Sequence, residues 1–118
     1  MESHRLGIRG EDLASDYLLS RGYTILERNW RHQKAEIDIL AMKEGILAVI
    51  EVKTRSTVVF GTPEEFIGQN KIRLVRKAAN AYVNLNRLNL EVRLDYIGIV
   101  FENNQPKVRH IKDACFFF

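Results

Sequence analysis

The sequence predicts an α/β domain in which a central mixed β-sheet is flanked by helices, in the order α-β-β-β-α-β-β. Three observations carry that prediction. Two stretches, His4–Ser20 and a longer one from Pro63 or Glu64 to Asn86, repeat apolar residues at helical spacing. Ile46–Lys53 is almost wholly apolar and rich in β-branched residues, the pattern of a strand covered on both faces. The segments Tyr23–Trp30, Glu36–Met42, Glu91–Phe101 and Lys107–Ile111 are strand-like and bounded by turn residues.

In the first helix, Leu6, Leu13, Ala14, Tyr17 and Leu18 fall near one face, and Gly22 ends it. Gly7 and Gly10 each weaken its early turns by up to about 1 kcal/mol relative to Ala. Tyr23–Trp30 belongs towards a sheet edge, because Glu27, Arg28 and Asn29 crowd its later half. Arg31–Lys34 is a polar turn, and Lys43-Glu44-Gly45 closes a hairpin between Glu36–Met42 and Ile46–Lys53. Gly61 and Pro63 make Ser56–Pro63 a loop, placed to cover a site at the end of a central strand. Ile72, Val75, Ala79, Tyr82 and Leu85 form the expected buried stripe of the second helix. Asn89 and Asn103-Asn104 mark turns around the fourth strand, and Phe116, Phe117 and Phe118 are expected against the core or a second subunit.

A chain of 118 residues suits one domain, and no internal repeat, linker or low-complexity segment divides it. Its 46% hydrophobic and 28% charged residues are those of a soluble globular protein. A formal charge of +3 is compatible with a nucleic-acid partner without demonstrating one. Cys115 is the single cysteine, which excludes an internal disulfide and fits a reducing compartment. No apolar run has membrane length and no secretory leader is visible, so a cytoplasmic location is expected.

The chemistry concentrates in the hairpin. Glu51 and Lys53 interrupt the buried-looking strand and point to one face, about 6–7 Å apart. Charges there must be paired, metal-bound or in reach of water. By the same alternation Glu36 and Asp38 share a face on the partner arm, so Asp38, Glu51 and Lys53 can meet in one small pocket. Two carboxylates are hard oxygen donors that suit Mg²⁺ (or Mn²⁺) and leave positions for waters and a substrate phosphate. Lys53 beside such an ion can hold the attacking water and counter charge growing on phosphorus, the parts of metal-assisted phosphodiester hydrolysis. The plainer alternative is a salt bridge from Lys53 to Glu51 or Asp38 with no chemistry. Spacing leaves Glu11 open between a solvated helix carboxylate and a group of the site.

Lys71, Arg73, Arg76 and Lys77 crowd the second helix with almost no acid among them, which suggests a phosphate-facing surface. Arg55 touches a phosphate or is a solvated strand-end residue; Gln69 and Lys71 steady substrate or are ordinary helix-start polar residues. His4, His32 and His110 lack metal-ligand spacing and are expected as surface or lightly structured residues. Asp95 is expected to pair with a helix arginine in a structural role.

Asp38 followed by Glu51-Val52-Lys53 resembles the PD-(D/E)xK motif of restriction-endonuclease-like nucleases. More closely, GEDLASDYLLSRGYTILERNWR, AEIDILA and AVIEVKTR resemble the YraN-like family of small bacterial proteins, over about Gly10 to Val100. That family is similar to archaeal Holliday junction resolvases and is described as predicted endonucleases. The resemblance implies a restriction-endonuclease-like fold, Asp38 and Glu51 as metal ligands, Lys53 as catalytic lysine, and Glu11 completing the acidic site. It also implies a homodimer, since the related resolvases act as dimers. Ala35 departs from the Gly the family usually carries before Glu-Ile-Asp, and the motif's proline is not evident. The expected function is Mg²⁺-dependent DNA endonuclease, with branched or damaged DNA as candidate substrate. The alternatives are a nucleic-acid-binding module with little activity, or an adaptor that docks a protein partner.

Overall fold

The computed structural model describes residues 2–55 and 69–114, with side chains from residue 9 onward in the first segment and from residue 70 in the second. The element order is α1 (Glu2–Ser20), β1 (Thr24–His32), β2 (Ala35–Lys43), β3 (Ile46–Arg55), α2 (Gln69–Leu85), β4 (Glu91–Glu102) and β5 (Gln105–Ile111). This is the expected α-β-β-β-α-β-β order. The expected Ser56–Pro63 loop, the first turns assigned to α2, Cys115 and Phe116–Phe118 lie outside the described residues.

The strands form one sheet in chain order, β1-β2-β3-β4-β5. Neighbours are antiparallel except β3 and β4, which are parallel. Antiparallel neighbours can be joined by tight turns, but a parallel pair needs a crossover. The β3–β4 connection contains α2. β2 and β3 meet through Glu44 and Gly45, both at positive φ (50° and 79°), the backbone that a two-residue hairpin turn matching strand twist requires.

Helices cover both faces of the sheet. Ala14 and Leu18 of α1 pack on Ile39, Ala41, Ala48, Ile50, Ile97 and Ile99. Ala78, Ala79 and Tyr82 of α2 pack on Ile37, Leu40, Leu47, Val49 and Leu94. Alternate residues of β3 thus feed opposite cores, as a strand buried on both sides must. No described helix is long and apolar enough to cross a membrane.

Both helices end in the same way. At α1 the Tyr23 N–H bonds Leu18 O (3.0 Å) and the Gly22 N–H bonds Leu19 O (3.1 Å), with Gly22 at φ +89°. At α2 the Leu88 N–H bonds Val83 O (3.0 Å) and the Arg87 N–H bonds Asn84 O (3.3 Å), but Arg87 takes the left-handed position at φ 51°. Glycine is the usual occupant of that position.

Two expectations are corrected, and a third gains a reason. Leu85 is 71% exposed instead of closing the buried stripe: α2 ends there, and cover of the core passes to Val83, Leu88 and Leu90. The turn after β1 is only Gln33-Lys34, because Arg31 and His32 continue the β1–β2 ladder opposite Glu36 and Ala35. Gly10 has a packing reason that outweighs its helix propensity. A Cβ at Gly10 would lie 1.9 Å from Thr54 Oγ1, so α1 crosses the end of β3 at a distance only glycine permits.

Candidate functional site

The site begins where two strands part. The β2–β3 ladder runs from Lys43 opposite Ile46 to Ile39 opposite Ile50, and Asp38 lies one residue beyond it. Strict alternation would put Ile37 and Ile39 on one face, yet Ile37 packs under α2 and Ile39 under α1. The change of face falls at Asp38, so the simple alternation expected for Glu36 and Asp38 does not hold. Asp38 Oδ2 accepts the Val52 N–H at 2.8 Å, a side chain standing in for the missing strand partner. Glu36 is paired elsewhere, with Arg31 at 2.8 Å.

Glu51 sits next to this gap on the α2 face, its side chain 13% exposed. Its Oε1 accepts from Lys71 Nζ of α2 and lies 3.5 Å from Lys53 Nζ. Lys53 therefore reaches Glu51, as strand alternation requires, and Lys71 joins the same carboxylate from the facing helix. Glu51 and Lys71 also line a small cleft open to solvent, with Ile37, Val49, Ile72 and Val75 among its walls.

Glu11 approaches from the α1 side. Its carboxylate is 3.7 Å from Arg28, which also pairs with Asp12 at 2.9 Å. The close crossing at Gly10 and Thr54 brings this part of α1 against the end of β3. Asp38 registers the crowding. Burial, then repulsion from Glu51 and more weakly from Glu11, pushes its carboxyl up to about 7, although the Val52 N–H and Lys71 pull the other way. The structure thus brings together Asp38, Glu51, Lys53 and Lys71, with Glu11 at their margin.

The remaining residues lie further out. Arg55 ends β3 and donates from Nη1 to Thr54 O at 3.0 Å. Gln69 opens α2, and its side chain lies outside the described residues. Arg73, Arg76 and Lys77 are exposed on α2, where Arg73 Nη2 donates to Asn70 Oδ1 at 2.7 Å. From Gln69 to Leu85 this helix contains no Asp or Glu, so its positive charge is uncompensated within the helix.

A second polar cluster, missed in the sequence, occupies the α1 face. The His110 side chain is only 4% exposed and is not a surface group. Its Nε2 lies 2.8 Å from Asp95 Oδ2 and its Nδ1 lies 3.3 Å from the Tyr17 hydroxyl. Asp95 also takes both Arg93 Nε and Nη2 at 2.8 Å and the Asp113 N–H at 3.1 Å. Its arginine partner therefore comes from its own strand and not from a helix, since residues two apart on a strand share a face. Burial raises the Asp95 carboxyl, but these hydrogen bonds from His110, Arg93 and Asp113 outweigh it and hold the group below its ordinary value. The Arg93-Leu94-Asp95 spacing was the available signal; nothing local in sequence points to His110.

Asp38 Oδ1 and Glu51 Oε2 take no part in these hydrogen bonds and ion pairs, which engage Oδ2 and Oε1. Two hard oxygens from neighbouring strands are a donor set for a divalent cation that retains water. Among the described residues no group of three or more His, Cys, Asp or Glu is placed together to hold a metal ion.

Relatives extend over nearly the whole chain. A UPF0102 protein of Flavobacterium psychrophilum is 50% identical over 117 residues, covering 99% of this chain and 98% of its own. A UPF0102 protein of Bacteroides thetaiotaomicron is 43% identical over 115 residues, covering 98% and 95%. A UPF0102 protein of Syntrophomonas wolfei is 38% identical over 113 residues, covering 95% and 98%. The family described as "Uncharacterised protein family UPF0102" matches residues 10–99, the span that holds Glu11, the parted strands and α2, and this chain belongs to that family.

Proposed function

We propose that this protein is a divalent-metal-dependent endonuclease that hydrolyses phosphodiester bonds in DNA. The observation that carries the reading is the gap between β2 and β3. Asp38 is clamped there to the Val52 N–H beside Glu51, and Lys53 and Lys71 both approach Glu51 Oε1. The motif resemblance to PD-(D/E)xK nucleases agrees with it.

The residues fit Mg²⁺ or Mn²⁺: Asp38 and Glu51 would hold the ion through the oxygens not already engaged, with Glu11 able to join through water. Such an ion, when bound, supplies Lewis-acid polarisation of the phosphate. The rest falls to the chain itself. The Val52 N–H fixes the Asp38 carboxylate, which keeps it from rotating into the ladder. Lys53, 30% exposed, can turn from Glu51 to hold an attacking water or a non-bridging phosphate oxygen. Lys71 orients Glu51 from α2, so substrate lying on the basic face of that helix and the carboxylate are positioned by one element.

A second reading, a DNA-binding module without activity, is favoured by one observation: Glu51 is already neutralised by two lysines. Incubating the purified protein with duplex, branched and single-stranded DNA in Mg²⁺ or Mn²⁺ separates the two. Cleavage that needs the metal and disappears in Lys53→Ala supports the nuclease. DNA retardation with no metal-dependent product supports the module, and product formed equally by Lys53→Ala refutes the assigned chemistry.

A further inference from the structure

Beyond the cleavage site lies a groove that the nuclease reading does not use. It runs between the β1–β2 turn and α2, lined by His32, Gln33, Lys34, Ala35, Leu74 and Lys77, and encloses about 410 Å³ including its open mouth. Its composition is unusual for a solvated turn. Lys34 of the turn and Lys77 of α2 both line it, and exposed Arg73 and Arg76 continue the charge along α2. Glu36, two residues beyond the turn on β2, is held by Arg31.

One wall is an aromatic plate. The His32 imidazole lies parallel to the Trp30 indole, with ring centroids 5.8 Å apart and planes within 5°. Trp30 is in turn braced edge-on by the buried Tyr82 at 5.1 Å. The imidazole is therefore backed by an offset stack on the Trp30 indole, itself fixed by Tyr82, on the margin of a cationic groove. A flat π-face beside paired lysines matches one ligand chemistry, a planar base attached to a phosphodiester chain. A paired base keeps its faces inside the duplex stack, so the plate can only accept an unpaired one.

We propose that this groove binds an unpaired nucleotide of the DNA substrate, its base stacked on His32 and its flanking phosphates on Lys34 and Lys77. The inference rests on DNA being the substrate and assigns the form of DNA the site accepts. The placement suits it. Ala35 of the groove and Asp38 of the cleavage site are three residues apart on β2, about 10 Å along the strand. That equals about three rises of a stacked nucleic-acid strand at about 3.4 Å each. The enzyme would therefore cut a few nucleotides from a junction between paired and unpaired DNA.

The test is fluorescence anisotropy of the full chain in chelator, so that no cleavage occurs. Two probes are compared: a labelled duplex with a short single-stranded thymidine arm, and the same duplex whose arm is abasic but carries the same phosphates. Wild type is expected to bind the thymidine arm about tenfold more tightly, a difference of about 1.4 kcal/mol. His32→Ala should erase that difference and leave abasic-arm affinity unchanged, whereas His32→Phe should preserve it. Lys77→Gln should weaken both probes alike. Equal binding of the two arms by wild type, or a thymidine preference that survives in His32→Ala, overturns the assignment. So does equal loss in His32→Ala and His32→Phe, or binding to neither probe. A base preference without metal-dependent cleavage would leave the groove standing and remove the nuclease; cleavage without base preference would do the reverse.

Discussion

Replacing Asp38 by Asn should stabilise the metal-free protein at pH 8 and do almost nothing at pH 4. The Asn amide oxygen can still accept the Val52 N–H that Asp38 Oδ2 accepts at 2.8 Å, so the backbone clamp survives. What goes is a crowded negative charge. Burial and Glu51 raise the Asp38 carboxyl from 3.8 to about 7. An acid whose pKa is raised by folding destabilises the fold while ionised, so the penalty is full above pH 7 and fades as pH falls towards 4. At about 1.4 kcal/mol for each tenfold change in proton affinity, the penalty at pH 8 is about 4 kcal/mol. Relaxation of a half-buried site reduces this to about 2–4 kcal/mol, or about 8–16 °C in Tm for a chain of this size. Urea unfolding of wild type and Asp38→Asn, in chelator at pH 4, 6 and 8, measures it. A stability gain that is the same at all three pH values, or a loss at pH 8, would refute the argument.

Other consequences follow from the packing. Gly10→Ala should destabilise by about 1–3 kcal/mol in denaturant unfolding despite a better helix propensity, because its methyl group meets Thr54 Oγ1. Arg87→Gly should stabilise by up to about 1 kcal/mol, since Arg87 holds the left-handed position at φ 51° that glycine takes freely. Asp95→Ala should cost about 3 kcal/mol or more in the same measurement, because it leaves the largely buried Arg93 and His110 without their shared acceptor.

The parts legible in sequence were those set by local pattern. Ile46–Ile50 announced a strand buried on both faces, and the helical stripes of α1 and α2 announced which faces were covered. Glu51 and Lys53 on one face followed from alternation alone. What stayed hidden depended on geometry between elements. Nothing in β2 announces that alternation breaks at Asp38, because the break exists only where β2 leaves β3 and a side chain takes over a backbone bond. Lys71 on Glu51 requires knowing how α2 crosses the sheet. His110 looked like an exposed residue on an edge strand until β5 laid it against Asp95 and Tyr17. Leu85 fitted the helical period but outran the sheet beneath it.

The proposed nuclease chemistry requires that Asp38 and Glu51 hold one divalent cation at the parting of β2 and β3. Mn²⁺ titration by calorimetry at pH 8 tests it most directly, with wild type, Asp38→Asn and Lys53→Ala side by side. One site per chain is predicted in wild type, weakened at least about tenfold in Asp38→Asn and retained in Lys53→Ala. Equal Mn²⁺ affinity in wild type and Asp38→Asn, or no binding to wild type, would contradict the account.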